Sequence, residues 1–219
     1  MNNNQTKRQF GSQRRQLDRE ILKASQEELK AQDWKKIQNI FFREKDNWFW
    51  SLTISTYLNV EKTLISLQAK PMNVDPLLWD ILSIPENRKA PLSLRANGAF
   101  TCSSLPVAEL SIDDGNLSAE QVSQKILSWL LCNFDEWSNK VSSCTFSSQL
   151  EKHENQILRG AYAISLITSL IAERDFIRAK DYSEKYGGGE LESVFEMTCE
   201  GKSFYQHVLQ WLKTNHRTA

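Results

Sequence analysis

Residues 12–31, "SQRRQLDREILKASQEELKA", place Leu17, Ile21, Ala24 and Leu29 at roughly helical spacing, with charged groups filling the rest of each turn. That spacing predicts a helix with a narrow apolar stripe. Residues 1–12 ahead of it are polar and aperiodic and predict a flexible tail. From residue 37 the period falls to two. "IQNIFFRE" (37–44) reads as a leading strand. In "NWFWSLTISTYLN" (47–59), Trp48, Trp50, Leu52, Ile54 and Leu58 share one face, while Phe49, Ser51, Thr53, Ser55 and Tyr57 share the other. "EKTLISLQAK" (61–70) then sets Thr63, Ile65, Leu67 and Ala69 against Lys62, Ser66, Gln68 and Lys70, and a turn over 58–61 joins the two as an antiparallel hairpin.

The alternation recurs in "LRANGAFTCSS" (94–104) and "VAELSID" (107–113), with Pro106 at the turn between them. Between the hairpins, "VDPLLWDIL" (74–82) predicts a short helix capped by Asp75, with Pro76 in its first position and Pro85 beyond its end. After "DDGN" the period returns to 3.6. Ser118 and Gln121 form a capping-box pattern, and Val122, Ile126, Trp129, Leu130, Phe134 and Trp137 line one side of a long helix suited to cover the sheet. "LRGAYAISLITSLIAERDFIRAKDYSEKYGGG" (158–189) predicts two helices meeting near residues 173–175 and stopped by the glycines at 187–189, with a last helix from Phe204. The expected class is α+β: an antiparallel meander of four to five strands, preceded by a helix and covered by a C-terminal helical bundle. Residues 13–140 form the α+β domain and 149–219 the helical segment, joined by the Ser-rich stretch 141–150.

Composition narrows the function classes. Hydrophobic residues make up 40% and charged residues 25%, which excludes a fibrous or wholly unfolded chain. Lys plus Arg and Asp plus Glu each number 27, so no net field draws the chain to nucleic acid or to an anionic membrane. The first 36 residues carry nine Lys/Arg against five Asp/Glu. Without interleaved aromatics, that excess reads as a solvated helix face rather than a nucleic-acid site. No run approaches the roughly 20 apolar residues that span a bilayer, and no leader is visible, so a cytoplasmic location with no membrane partner is expected. Four cysteines, 12 or more residues apart and without a C-x-x-C pair, read as reduced thiols.

Catalytic signals are absent from the sequence. His153, His207 and His216 have no acidic or histidine partner four residues on, no G-x-S-x-G occurs, and "YGGGE" follows a helix rather than a strand. No catalytic residue, cofactor or metal is expected. Three surface features stand out instead. The loop 85–98 carries Arg88, Lys89 and Arg95 beside two prolines, suited either to grip a carboxylate or phosphate or to be fixed by ion pairs. Glu109, Asp113, Asp114 and Glu120 match no calcium loop, and suit a turn with a solvated face or a surface for a basic partner. Phe49 and Tyr57, set among Ser51, Thr53 and Ser55 on the polar sheet face, suit protein recognition.

The order of a helix, a meander containing "FFREKDNWFWSLTI" and "VDPLLWDIL", and then helices resembles uncharacterised bacterial α+β proteins, some of which act as immunity or antitoxin partners. The resemblance covers residues 13–114, rests on W-x-W and D-P-L-L-W, and carries no active site with it. It implies a non-enzymatic protein that neutralises a protein partner by binding. The expected contacts are Phe49, Tyr57, Arg88, Arg95, Glu109, Asp113 and Asp114. The alternative is an anion-binding domain or enzyme with a pocket between sheet and helices, using Arg88 and Arg95.

Overall fold

The computed structural model describes residues 3–153, 159–191 and 197–215. Helix α1 (Asn3–Lys30) leads into a five-stranded antiparallel sheet, β1 (Lys35–Ile37), β2 (Ile40–Lys45), β3 (Trp48–Thr56), β4 (Lys62–Pro71) and β5 (Leu105–Asp113). The strands lie side by side in chain order, so the sheet is a meander. Between β4 and β5 come α2 (Val74–Ile81), a 3₁₀ turn (Pro85–Lys89) and α3 (Leu94–Asn97). After β5 follow α4 (Ala119–Ser142), α5 (Phe146–Lys152), α6 (Arg159–Ala172), α7 (Phe176–Gly187), the short hairpin β6 (Thr198–Cys199) and β7 (Lys202–Ser203), and α8 (Phe204–Asn215). The α+β meander with its leading and trailing helices is thus present. His216 lies outside the described residues.

The five strands are not the five expected. The segment 37–44 is split by a tight turn at Gln38, whose φ of 52° lies in the left-handed region, and its halves pair as β1 and β2. Asp46 and Asn47, with φ of 54° and 62°, then form the two-residue turn into β3, a geometry that Asp and Asn tolerate and that matches strand twist. Conversely, residues 94–104 are not a strand. "LRAN" closes a helical turn, and Gly98 terminates it where an added Cβ would lie 2.4 Å from the Leu94 carbonyl oxygen. The extended segment after it makes no ladder. Helix α1 runs from Asn3, and no proline interrupts it. Asp75 does not cap α2. Asn73 occupies that position, and Asp75 is buried at the second residue of the helix.

The chain divides into two compact units. The first comprises Met1–Arg43, Trp50–Ala69 and Pro106–Ser143; the second comprises Glu44–Phe49, Lys70–Leu105 and Cys144–Ala219. In the first unit, α1 packs along α4 and against β1. Trp50, Leu52, Ile54, Ile65 and Leu67 meet Val122, Ile126, Leu130 and Phe134, all at 4% exposure or less. Phe134 is wedged between Trp50 and Trp34, with ring centroids 4.7 and 6.0 Å away in edge-on geometry. The Ser118/Gln121 capping box starts α4 as its sequence requires.

A buried ion pair closes the first unit at its turn end. The Arg14 guanidinium donates to both oxygens of Asp114, at 2.5 and 2.8 Å, and to the carbonyls of Tyr57 and Lys62 at 2.9 and 2.8 Å. Thr63 adds a 2.6 Å bond to the same carboxylate. Every acceptor there has a donor, which is what lets a charge sit dry.

In the second unit, α6 packs against α2, α5 and α7 around Leu78, Leu82, Leu150, Ala163, Leu166, Ile167, Leu170 and Ala179, all fully buried. The α6–α7 turn is held by Asp175, whose side chain accepts from the Arg178 amide. Lys70, which strand alternation puts on a polar face, is fully buried here. Its ammonium donates to Asp75 at 2.9 Å and to the Cys102 carbonyl at 2.7 Å, while Asp75 also accepts from the Cys102 amide at 2.8 Å.

None of the four cysteines forms a disulfide among the described residues. Burial, reinforced by the Asp75 charge, pushes the Cys102 thiol well above its ordinary value of 9.0. The protonated form is therefore held in the fold, and any stability this confers is present below about pH 9 and is lost as pH rises beyond it. Since the thiolate is the nucleophile, Cys102 should resist a disulfide reagent until the chain unfolds, whereas the exposed Cys132 and Cys144 should react at once. A native-state titration against a denatured one checks this, and rapid labelling of Cys102 would contradict it.

Candidate functional site

The expected contact residues separate into a buried set and an exposed set. Phe49 has no exposed surface: it sits with the Lys70 ammonium 5.6 Å over its ring, so the aromatic recognition face does not extend to it. Arg95 is 11% exposed, on α3 rather than a strand. It donates to Asp75 at 3.2 Å and to the Met72 carbonyl at 2.9 Å, with its guanidinium 5.3 Å over Trp79. Arg88 is half exposed and paired with Asp80. The two arginines are thus each matched to a different carboxylate, as in a loop fixed by ion pairs. Asp114 is buried against Arg14 and is unavailable to a partner. Its counter-ion, 100 residues away in sequence, is what the acidic run concealed.

Tyr57, Glu109 and Asp113 remain at the surface of the first unit. Tyr57 is 45% exposed, and Asp113 is largely solvated, with only Lys62 at 3.6 Å. The hydrogen bond from Tyr57 N–H to the Lys62 carbonyl and the Lys62–Asp113 pair fix the registers β3–β4 and β4–β5. Alternation from there puts Ser55, Tyr57, Lys62, Leu64, Ser66, Glu109, Ser111 and Asp113 on one sheet face. None of these eight is buried. The polar face proposed from sequence is therefore open at its Tyr57 end and closed at Phe49.

The other feature is a groove. β5 and α4 diverge around an open space of about 670 Å³, lined by Leu110, Ile112, Leu117, Gln121, Lys125 and Trp129 among others. A second space of about 360 Å³ shares Asp113 and Leu117 with it and continues past Gly115 to Val60 and Glu61 on the β3–β4 turn. An apolar floor with a polar rim is the usual make-up of a protein-binding surface. Trp129 stands half buried on one wall, tilted against Trp137 at 4.8 Å. Leu58 and Val60, both more than 40% exposed, extend apolar surface along the turn.

Glu120, at the first turn of α4, has its carboxyl held below the usual range by backbone hydrogen bonding and by the Ser118 hydroxyl.

Sequence reading assigned Leu110 and Trp129 to the core and did not find the groove, because helical and strand periodicity report which side faces inward, not where two elements splay apart. Among the described residues, no group of three His, Cys, Asp or Glu side chains is placed to hold a metal ion. His207 is buried against the Cys199 carbonyl at 2.9 Å. Among the described residues, no helix is long and apolar enough to cross a membrane. No family model, curated protein or solved structure matches the chain.

Proposed function

We propose that the chain is a non-enzymatic protein-interaction module that binds a protein partner in the β5–α4 groove. The observation that carries this reading is the groove itself, with an apolar floor of Leu110, Leu117 and Trp129 and a polar rim. Neutralisation of the partner, as by an immunity or antitoxin protein, is the form of this function that the sequence resemblance implies. The anion-pocket alternative is disfavoured because Arg88 and Arg95 are each held by their own carboxylate.

Gln124 and Ser128 line the groove from exposed positions of α4. A Gln124→Arg/Ser128→Arg variant should fill the groove while changing stability by no more than about 0.5 kcal/mol, since both sites are solvated and Arg is a good helix former. Capture from the native host should yield one stoichiometric partner with the wild type and at least about tenfold less with the variant. Equal capture by both forms would sink the groove as the binding site.

A further inference from the structure

Beyond its groove-lining side chains, β5 offers a row of backbone groups. Its only sheet neighbour is β4, and among the described residues nothing hydrogen-bonds to its outer N–H and C=O groups. The opposite edge, β1, is three residues long, as edges that avoid pairing tend to be. β5 is nine residues long, or about 30 Å at 3.4 Å per residue.

From this edge we propose that the partner contributes an extended, basic segment that adds to β5 as a sixth strand. The proposal rests on the interaction reading and specifies its chemistry. An added strand alternates like its neighbour, so one set of its side chains lies beside Glu109, Ser111 and Asp113 and the other beside Leu110, Ile112 and the Trp129 wall of the groove. Exposed carboxylates outnumber cations around this edge, with Glu61, Glu109 and Asp113 and, in the first turn of α4, Glu120 against Lys62 and Lys125. Lys or Arg at alternate positions, separated by apolar residues, is the complementary pattern. A second copy of this chain fits the edge poorly. Antiparallel self-pairing centred on the middle of β5 sets Glu109 against Glu109, and a four-residue shift sets it against Asp113, both like-charge pairs.

Selection of a phage-displayed random dodecapeptide library on the intact chain tests the occupant, and hydrogen exchange on the enriched peptides' complexes tests the mode. The enriched sequences should alternate basic and apolar residues. Binding should slow the outward-facing β5 amides by about tenfold or more, and Glu109→Lys/Asp113→Lys, two exposed changes, should weaken binding by about tenfold. Peptides that bind without slowing those amides would overturn strand addition while leaving the groove reading intact. Acidic sequences would overturn the charge assignment. If no peptide is enriched, an extended segment is the wrong occupant, whereas loss of host-partner capture in the groove variant would still uphold the broader reading. Slowing of the β5 amides with protein concentration alone would replace the partner strand by a second copy.

Discussion

Replacing Lys70 with methionine is expected to destabilise the fold by about 3–5 kcal/mol, read as a lowered urea midpoint at unchanged slope. The stem of Lys70 is matched in length by methionine, so the loss is electrostatic. Asp75 is left fully buried with Arg95 as its remaining cation, and the Cys102 carbonyl loses its 2.7 Å donor. Removing the carboxylate as well, in Lys70→Met/Asp75→Asn, should cost less than the sum of the two single changes, because the uncompensated charge is gone. A single-variant cost below about 1 kcal/mol, the size of a solvated pair, would mean that the site is wet rather than dry.

Arg14→Ala should have an effect of similar size, about 3–5 kcal/mol, since it strips the counter-ion from a buried carboxylate. It also removes the donor to two turn carbonyls at once. Lysine should restore little of the loss. Four bonds run from three guanidinium nitrogens fixed in one plane, a geometry that a single ammonium cannot reproduce. Denaturant unfolding of the alanine and lysine variants checks the energy. Hydrogen exchange checks the place: the β3–β4 turn amides should exchange faster in both variants, and unchanged rates there would contradict the clasp.

These two ion pairs also mark the limit of what was legible in the sequence. The α+β class, the meander and the α4 cap follow from local periodicity, and Trp50, Leu52 and Ile54 are buried as alternation requires. Local pattern does not say which charges meet. Lys70 stands where a solvent-facing strand residue is expected, and only the return of Asp75 and Cys102 makes its burial possible. Asp114 reads as one more member of an acidic run until Arg14 is brought to it. Phe49 and Tyr57 belong to the same face by alternation, yet one is fully buried and the other is 45% exposed. Segment 94–104 misled for a different reason: its alternation is genuine, but a helical turn capped by Gly98 leaves it with no partner strand. Of the proposed contact residues, Tyr57, Arg88, Glu109 and Asp113 keep the exposure that recognition needs. The groove beside them belongs to the splay of β5 from α4, for which periodicity has no signal.

Site-specific photo-cross-linking in the native host reads out whether the β5–α4 groove engages a protein. A benzophenone side chain placed at Ser128, inside the groove, should give one discrete adduct; the same group at Ile177, 85% exposed on α7, serves as a solvent-facing control. The account predicts an adduct from Ser128 and none from Ile177. No adduct from Ser128, or the same adduct from both positions, would contradict it.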